Sequence, residues 1–125
     1  EEPRVDLGEE HRKIIMEGLR RVVHQQGGTG ARAGFKPKWR VAGKTGTAEP
    51  GGGAEPHAWF AGYAPYDDPE ILVLVLVENA GHGGAVAGPL ARQMFAAYFG
   101  EPEPEIVPAP PVEEAEQIAS LTSTN

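Results

Sequence analysis

The chain has 125 residues, 40% of them apolar, with 17 glycines and 12 prolines, a composition that fits one small domain with many turns. Its longest unbroken apolar run, Ile71 to Val77, is far too short to span a bilayer, and no charged-then-apolar leader opens the chain, so any membrane anchor or export signal is expected to lie outside it. With no cysteine there is no disulfide framework, no thiolate nucleophile and no cysteine-ligated metal, which leaves the compartment open.

The net charge of −7 is spread unevenly. Glu101, Glu103, Glu105, Glu113, Glu114 and Glu116 follow residue 100 with no Lys or Arg among them, so residues 1–100 carry −1. Within that near-neutral body Arg32, Lys36, Lys38, Arg40 and Lys44 occur without an intervening acid, a local positive field that is either a solvated basic loop or an attractor for an anionic substrate. Nucleic acid is a poor fit, because the body is not basic overall and has no interleaved aromatic platform.

Residues 7–26 show apolar positions near the 3.6-residue period (Ile15, Leu19, Val22, Val23), with Asp6 available as N-cap and Arg12, Lys13, Glu17, Arg20 and Arg21 on the wet side. Gly27-Gly28-Thr29-Gly30 ends this helix. Three strands are expected at 40–48, 57–64 and 70–78. Pro65-Tyr66-Asp67-Asp68-Pro69 joins the second and third as an antiparallel hairpin. The run from Ile71 to Val77 lacks polar alternation, which predicts cover on both faces of that strand. A second helix is expected over 85–99, with Val86, Leu90 and Met94 on its apolar face and Pro89 in its first turn. The resulting architecture is α+β, a three-stranded antiparallel sheet flanked by N- and C-terminal helices. Residues 1–100 form its body and the acidic, proline-rich residues 101–125 read as a disordered tail.

The most informative stretch is Val41-Ala42-Gly43-Lys44-Thr45-Gly46-Thr47-Ala48-Glu49. A phosphate-binding loop would need a glycine where Lys38 stands and a helix directly after Thr45, whereas Glu49-Pro50-Gly51-Gly52-Gly53 cannot be helical. The strand reading survives. On an edge strand a lysine supplies a cation for a carboxylate, a threonine hydroxyl can bond the same group, and Gly46 leaves room for a close backbone approach. The free N–H and C=O of Thr47 can then pair with an extended peptide. His11, His24, His57 and His82 show no metal-ligand spacing, and neither a metal nor a cofactor is expected. Glu49 reads as a solvated loop residue.

Lys-Thr-Gly belongs to the motif set of penicillin-interacting enzymes. Together, VAGKTGTAEP, HAWFAGYAP, ILVLVLVEN and GGAVAGPLARQMF closely resemble the last part of the transpeptidase domain of class B penicillin-binding proteins of the elongation type, the penicillin-binding protein 2 group. The resemblance spans about residues 7–99. It implies a fold shared with serine β-lactamases and a D,D-transpeptidase that cross-links peptidoglycan stem peptides through an acyl-enzyme and is blocked by β-lactams. It implies that Lys44 and Thr45 hold the substrate carboxylate, that Gly46 gives clearance, and that Thr47 offers its N–H to the oxyanion and its C=O to a substrate amide. His57, Trp59 and Phe60 would line the cleft, with core packing the competing role for the two aromatics.

The nucleophile has no counterpart here. Ser120 and Ser123 are the only serines, neither is followed by lysine three positions on, and Ser123-Thr124-Asn125 matches the family's Ser-x-Asn string in the wrong place. The chain is therefore expected to be one wall of an active site. The remaining neighbours of the sheet would be upstream residues, and without them an apolar face should be bare. By resemblance the partners are stem peptides, β-lactams, the upstream remainder of the domain and a membrane glycosyltransferase, on the outer side of the cytoplasmic membrane. Two alternatives stand beside this reading: a non-catalytic sensor or scaffold of the same fold, and a serine β-lactamase.

Overall fold

The structure, a computed structural model, describes residues 6–101. Helix α1 (Glu9–His24) leads through two short 3-10 turns, Ala31–Ala33 and Pro37–Trp39, into strands β1 (Ala42–Ala48), β2 (His57–Ala64) and β3 (Ile71–Val77), and helix α2 (Ala87–Tyr98) follows. The sheet is antiparallel in the order β1-β2-β3. This is the α+β architecture expected, with each strand as brief as its flanking prolines and glycines allow. Among the described residues no helix is long and apolar enough to cross a membrane.

Because side chains alternate across a strand and paired residues share a face, the register sorts the sheet into two surfaces. One carries the rows Thr45–Phe60–Val75, Gly43–Gly62–Val73 and Thr47–Ala58–Val77. Here lies the core. Phe60 is fully buried and stacks on Phe35 at 5.1 Å between ring centroids, and Phe35 meets Phe95 of α2 edge-on at 5.9 Å. The other surface carries Lys44–Ala61–Leu74, Gly46–Trp59–Leu76 and Ala42–Tyr63–Leu72.

That second surface is where the expectation of two-sided cover fails. Val73 and Val75 are buried, but Leu72, Leu74 and Leu76 are 72%, 59% and 45% exposed, since no described element lies over them. The bare apolar face expected of an incomplete sheet is present. It continues toward α1 through a groove of about 530 Å³ in which Arg12 and Met16 face Tyr63 and Leu72. Ile14 and Ile15 of α1 are also exposed, so of the predicted apolar stripe Ile15 is bare, Leu19 and Val22 are half-buried, and Val23 alone is fully covered.

Other boundaries shift for local reasons. Asp6 does not cap α1: it accepts the Gly8 N–H, and Gly8 takes the N-cap position without a side-chain bond. Arg40 is not in β1 but in the left-handed region (φ 51), directly after the turn that Pro37 initiates. Pro89 does fall in the first turn of α2. The buried stripe of that helix is Ala87, Ala91 and Phe95, one position on from the one expected, and Met94 is exposed. Alanines there let the helix approach the sheet closely, and Phe95 fills the space they leave.

Glu101, placed first in the tail by composition, is held. Its carboxylate binds Lys38 at 2.6 Å and Lys36 at 3.0 Å and accepts the Trp39 indole N–H at 3.3 Å. Hydrogen bonds from Lys38 and Lys36 pull its pKa down to about 2. The rest of the expected disordered tail, 102–125, lies outside the described residues.

Candidate functional site

Strand β1 is an edge strand of the described sheet, and its alternation divides the Lys-Thr-Gly motif between two sides. Lys44 is exposed and its ammonium donates to the carbonyl of Thr45. Gly46 lies on the same side. A Cβ built there would sit 3.1 Å from Cβ of Trp59, its cross-strand partner, so the glycine makes room for this indole as well as for any ligand.

Thr45 and Thr47 point the other way. Thr45 is 7% exposed, and its Oγ1 donates to Oγ1 of Thr29 at 2.7 Å. The hydroxyl expected to share a carboxylate with Lys44 is thus turned inward, on the face opposite Lys44. Thr47, one full strand period later, is exposed. It lies at the mouth of a cleft of about 550 Å³ whose walls include Thr29, Arg32, Thr45, His82 and Gly84.

Two neighbouring segments fix this side of β1. The loop after α1 is pinned by the Gly28 N–H to Gln25 O and the Gly30 N–H to Val22 O, which present Thr29 to the strand. The loop after β3 closes from the other direction: Cβ atoms at Gly83 would fall 2.3 Å from the carbonyl oxygens of Gly46 and Trp59, and at Gly84 2.2 Å from that of Thr29. Only glycine admits such contact. Thr29, Gly83 and Gly84 escaped sequence reasoning. Their glycine-rich contexts announce loops, but nothing in a linear spacing of 16 residues announces a Thr29–Thr45 bond.

Of the three expected cleft-lining residues, the structure separates the roles. Phe60 is fully buried at the centre of the core, the competing role expected for it. Trp59 is half-buried on the Lys44 side. His57 is half-buried at the start of β2, where Nδ1 accepts the Asn79 N–H at 2.9 Å and leaves Nε2 to carry the ring proton.

The expected positive field shrinks. Lys36 and Lys38 are paired with Glu101, and Arg40 with Asp67 at 2.6 Å. Arg32 and Lys44 are the two members of the series without a carboxylate partner among the described residues. They stand on opposite sides of β1.

Comparison with known proteins places these features in context. A family profile described as "Penicillin binding protein transpeptidase domain" matches residues 2–96. Peptidoglycan D,D-transpeptidase MrdA of Haemophilus influenzae is 39% identical over 103 residues, which cover 71% of this chain and 16% of that protein. The crystal structure of Pseudomonas aeruginosa PBP2 in complex with WCK 5153 superposes with a TM-score of 0.69 at 32% identity, covering 86% of this chain and 24% of that one. Penicillin-binding protein A of Mycobacterium tuberculosis, solved as a ceftriaxone acyl-enzyme, gives a TM-score of 0.54 at 34% identity over 66% of this chain and 20% of that one. The chain thus spans about a sixth to a quarter of the length of these three relatives.

Proposed function

The chain belongs to the penicillin binding protein transpeptidase family, in its PBP2-type branch, and on that footing we propose that it supplies one wall of a peptidoglycan D,D-transpeptidase of cell-wall elongation. One observation carries the reading. Lys44, Ala61 and Leu74 form a single cross-strand row, so the bare leucine face and the motif lysine share one surface. Whatever covers Leu72, Leu74 and Leu76 arrives beside Lys44. That cover is the rest of the transpeptidase domain, and it brings the serine nucleophile, since these 125 residues hold no serine followed by lysine three positions on.

In this reading the terminal carboxylate of a stem peptide, or the carboxylate of a β-lactam, docks at the β1 edge. Lys44 provides a compact cation at the strand edge, its ammonium donating to the Thr45 carbonyl. The extended substrate pairs with the free edge of β1 at Thr47, whose N–H points to the oxygen that becomes anionic when the serine attacks. Gly46 keeps that approach open and seats Trp59 behind it. Thr45 serves indirectly, fastening the strand to Thr29. No cofactor takes part.

The products and partners follow from the same reading: cross-linked stem peptides, β-lactam acyl-enzymes, and a membrane glycosyltransferase that supplies the glycan, all on the outer side of the cytoplasmic membrane. The test is fluorescent-penicillin labelling of the full-length parent protein. Lys44→Ala should slow labelling by at least about tenfold, on the scale of one lost charge-assisted hydrogen bond. Undiminished labelling would remove Lys44 from the site.

A further inference from the structure

We propose that His57 is a positioning residue for the transpeptidase reaction: through the Asn79 N–H it straps the loop after β3 to the start of β2, and so sets the wall that this loop gives the cleft beside Thr47. The inference rests on the transpeptidase reading and gives His57 a part in it without contact to substrate.

Alternation decides what His57 can touch. Its cross-strand partner is Ala48, which shares a face with Lys44 and Gly46. The cleft at Thr45 and Thr47 lies on the other face, and His57 is not among the residues that line it. Its ring is occupied elsewhere. Nδ1 accepts the Asn79 N–H at 2.9 Å, and the next two amides, those of Ala80 and Gly81, both donate to the Pro56 carbonyl at 2.9 Å. Consecutive amides of one loop thus converge on residues 56 and 57. Asn79 makes this possible by taking a left-handed conformation (φ 50) just past the end of β3, a geometry that asparagine tolerates better than most residues. Of these bonds, the one to His57 alone ends on a side chain.

The strapped segment continues directly into the cleft wall. Gly83 is buried against the sheet, where an added Cβ would fall 2.3 Å from the carbonyl oxygens of both Gly46 and Trp59. His82, Gly83, Gly84 and Ala85 then line the cleft together with Thr45 and Thr47. The loop is held by amide bonds at its start and by backbone contact with the strands at Gly83. Releasing the first of these ties lowers the local stability of the loop and lets the wall drift from the motif strand, and small displacements at a reacting site slow the chemistry.

The test uses the full-length parent protein with His57→Asn, His57→Gln and His57→Leu. The asparagine amide oxygen stands as far from Cβ as Nδ1 does, the glutamine oxygen stands one bond further out, and leucine has no acceptor. Two quantities are read: deuterium uptake over residues 79–84, and the second-order rate of acylation by benzylpenicillin. His57→Gln and His57→Leu should exchange faster and acylate about fivefold to tenfold more slowly, the scale of one hydrogen bond, and His57→Asn should recover most of both. If His57→Leu does not fold, the contrast between His57→Asn and His57→Gln decides. Equal impairment in all variants would assign His57 a packing role and overturn the proposal, as would native exchange and acylation in His57→Gln and His57→Leu. A native protein that benzylpenicillin does not acylate would instead overturn the transpeptidase reading, and with it the claim on acylation, while the exchange rates still report on the strap.

Discussion

Thr45 gives its hydroxyl proton to Thr29 across 2.7 Å, and this bond fastens the motif strand to the loop that follows α1. Thr45 is the one buried polar side chain among the described residues. Thr29→Val should therefore destabilise the assembled domain by about 1–3 kcal/mol, the penalty of a buried hydroxyl left without a partner. Thr45→Val removes that hydroxyl, so the double variant should be little worse than Thr45→Val alone. Urea unfolding of the four proteins completes the cycle. Additive losses would mean that the two hydroxyls are not coupled.

Two glycines should respond to alanine with opposite signs. Gly83 has two carbonyl oxygens 2.3 Å from the added Cβ, and neither belongs to a side chain that can rotate away. Gly83→Ala should lower stability by roughly 1–3 kcal/mol and displace the 82–85 loop from β1. Gly18, within α1, has nothing within 4 Å, and Gly18→Ala should raise stability by about 0.5–1 kcal/mol. Thermal melts of both variants decide it.

The leucine row predicts the behaviour of the 125-residue chain on its own. With Leu72 at 72% and Leu74 at 59% exposure, the isolated chain should self-associate, and replacing Leu72, Leu74 and Leu76 by threonine should reduce association without touching the core. Sedimentation equilibrium over a concentration series checks this. A native chain that is a cooperatively folded, dilution-independent monomer would contradict it.

Glu101 ties the end of α2 to Lys36, Lys38 and Trp39, and its pKa is lowered from 4.5 to about 2 by bonds from Lys38 first and Lys36 second. A depressed folded-state pKa means stabilisation that is complete above the ordinary value and is lost as pH falls through about 2. The gap in melting temperature between the native protein and Glu101→Gln should thus be constant from pH 7 to pH 5 and shrink only below about 4.5. Other carboxylates, such as Glu17 between Arg20 and Arg21, titrate in both proteins and cancel in the difference. A gap that closes already between pH 7 and 5 would contradict the assignment.

Much of the architecture was legible because the sequence punctuates it. Pro65 to Pro69 set the hairpin, Gly27 to Gly30 marked the loop after α1 although the helix stops earlier, at His24 and not residue 26, and the span 57–64 matched β2 to the residue. Period-2 patterning could not reveal which face of β3 is covered, since Leu and Val are equally apolar; only packing distinguishes Val73 and Val75 from Leu72, Leu74 and Leu76. The α2 stripe was missed by one position because alanine carries little hydrophobic weight yet permits the closest helix approach. At the site, Lys44 to Thr47 stood out as a motif, whereas Thr29, Gly83 and Gly84 gain meaning only when two loops converge on β1.

The central claim is that Lys44 to Thr47 complete a serine site whose nucleophile comes from elsewhere in the parent protein. The direct measurement is intact mass after exposure to a labelled penicillin, for this chain alone and for this chain mixed with the remainder of the transpeptidase domain. The account predicts a covalent adduct on the remainder, formed only in the mixture. An adduct on the 125-residue chain itself, or none in a mixture shown to assemble, would contradict it, the second outcome pointing to a non-catalytic relative of the same fold.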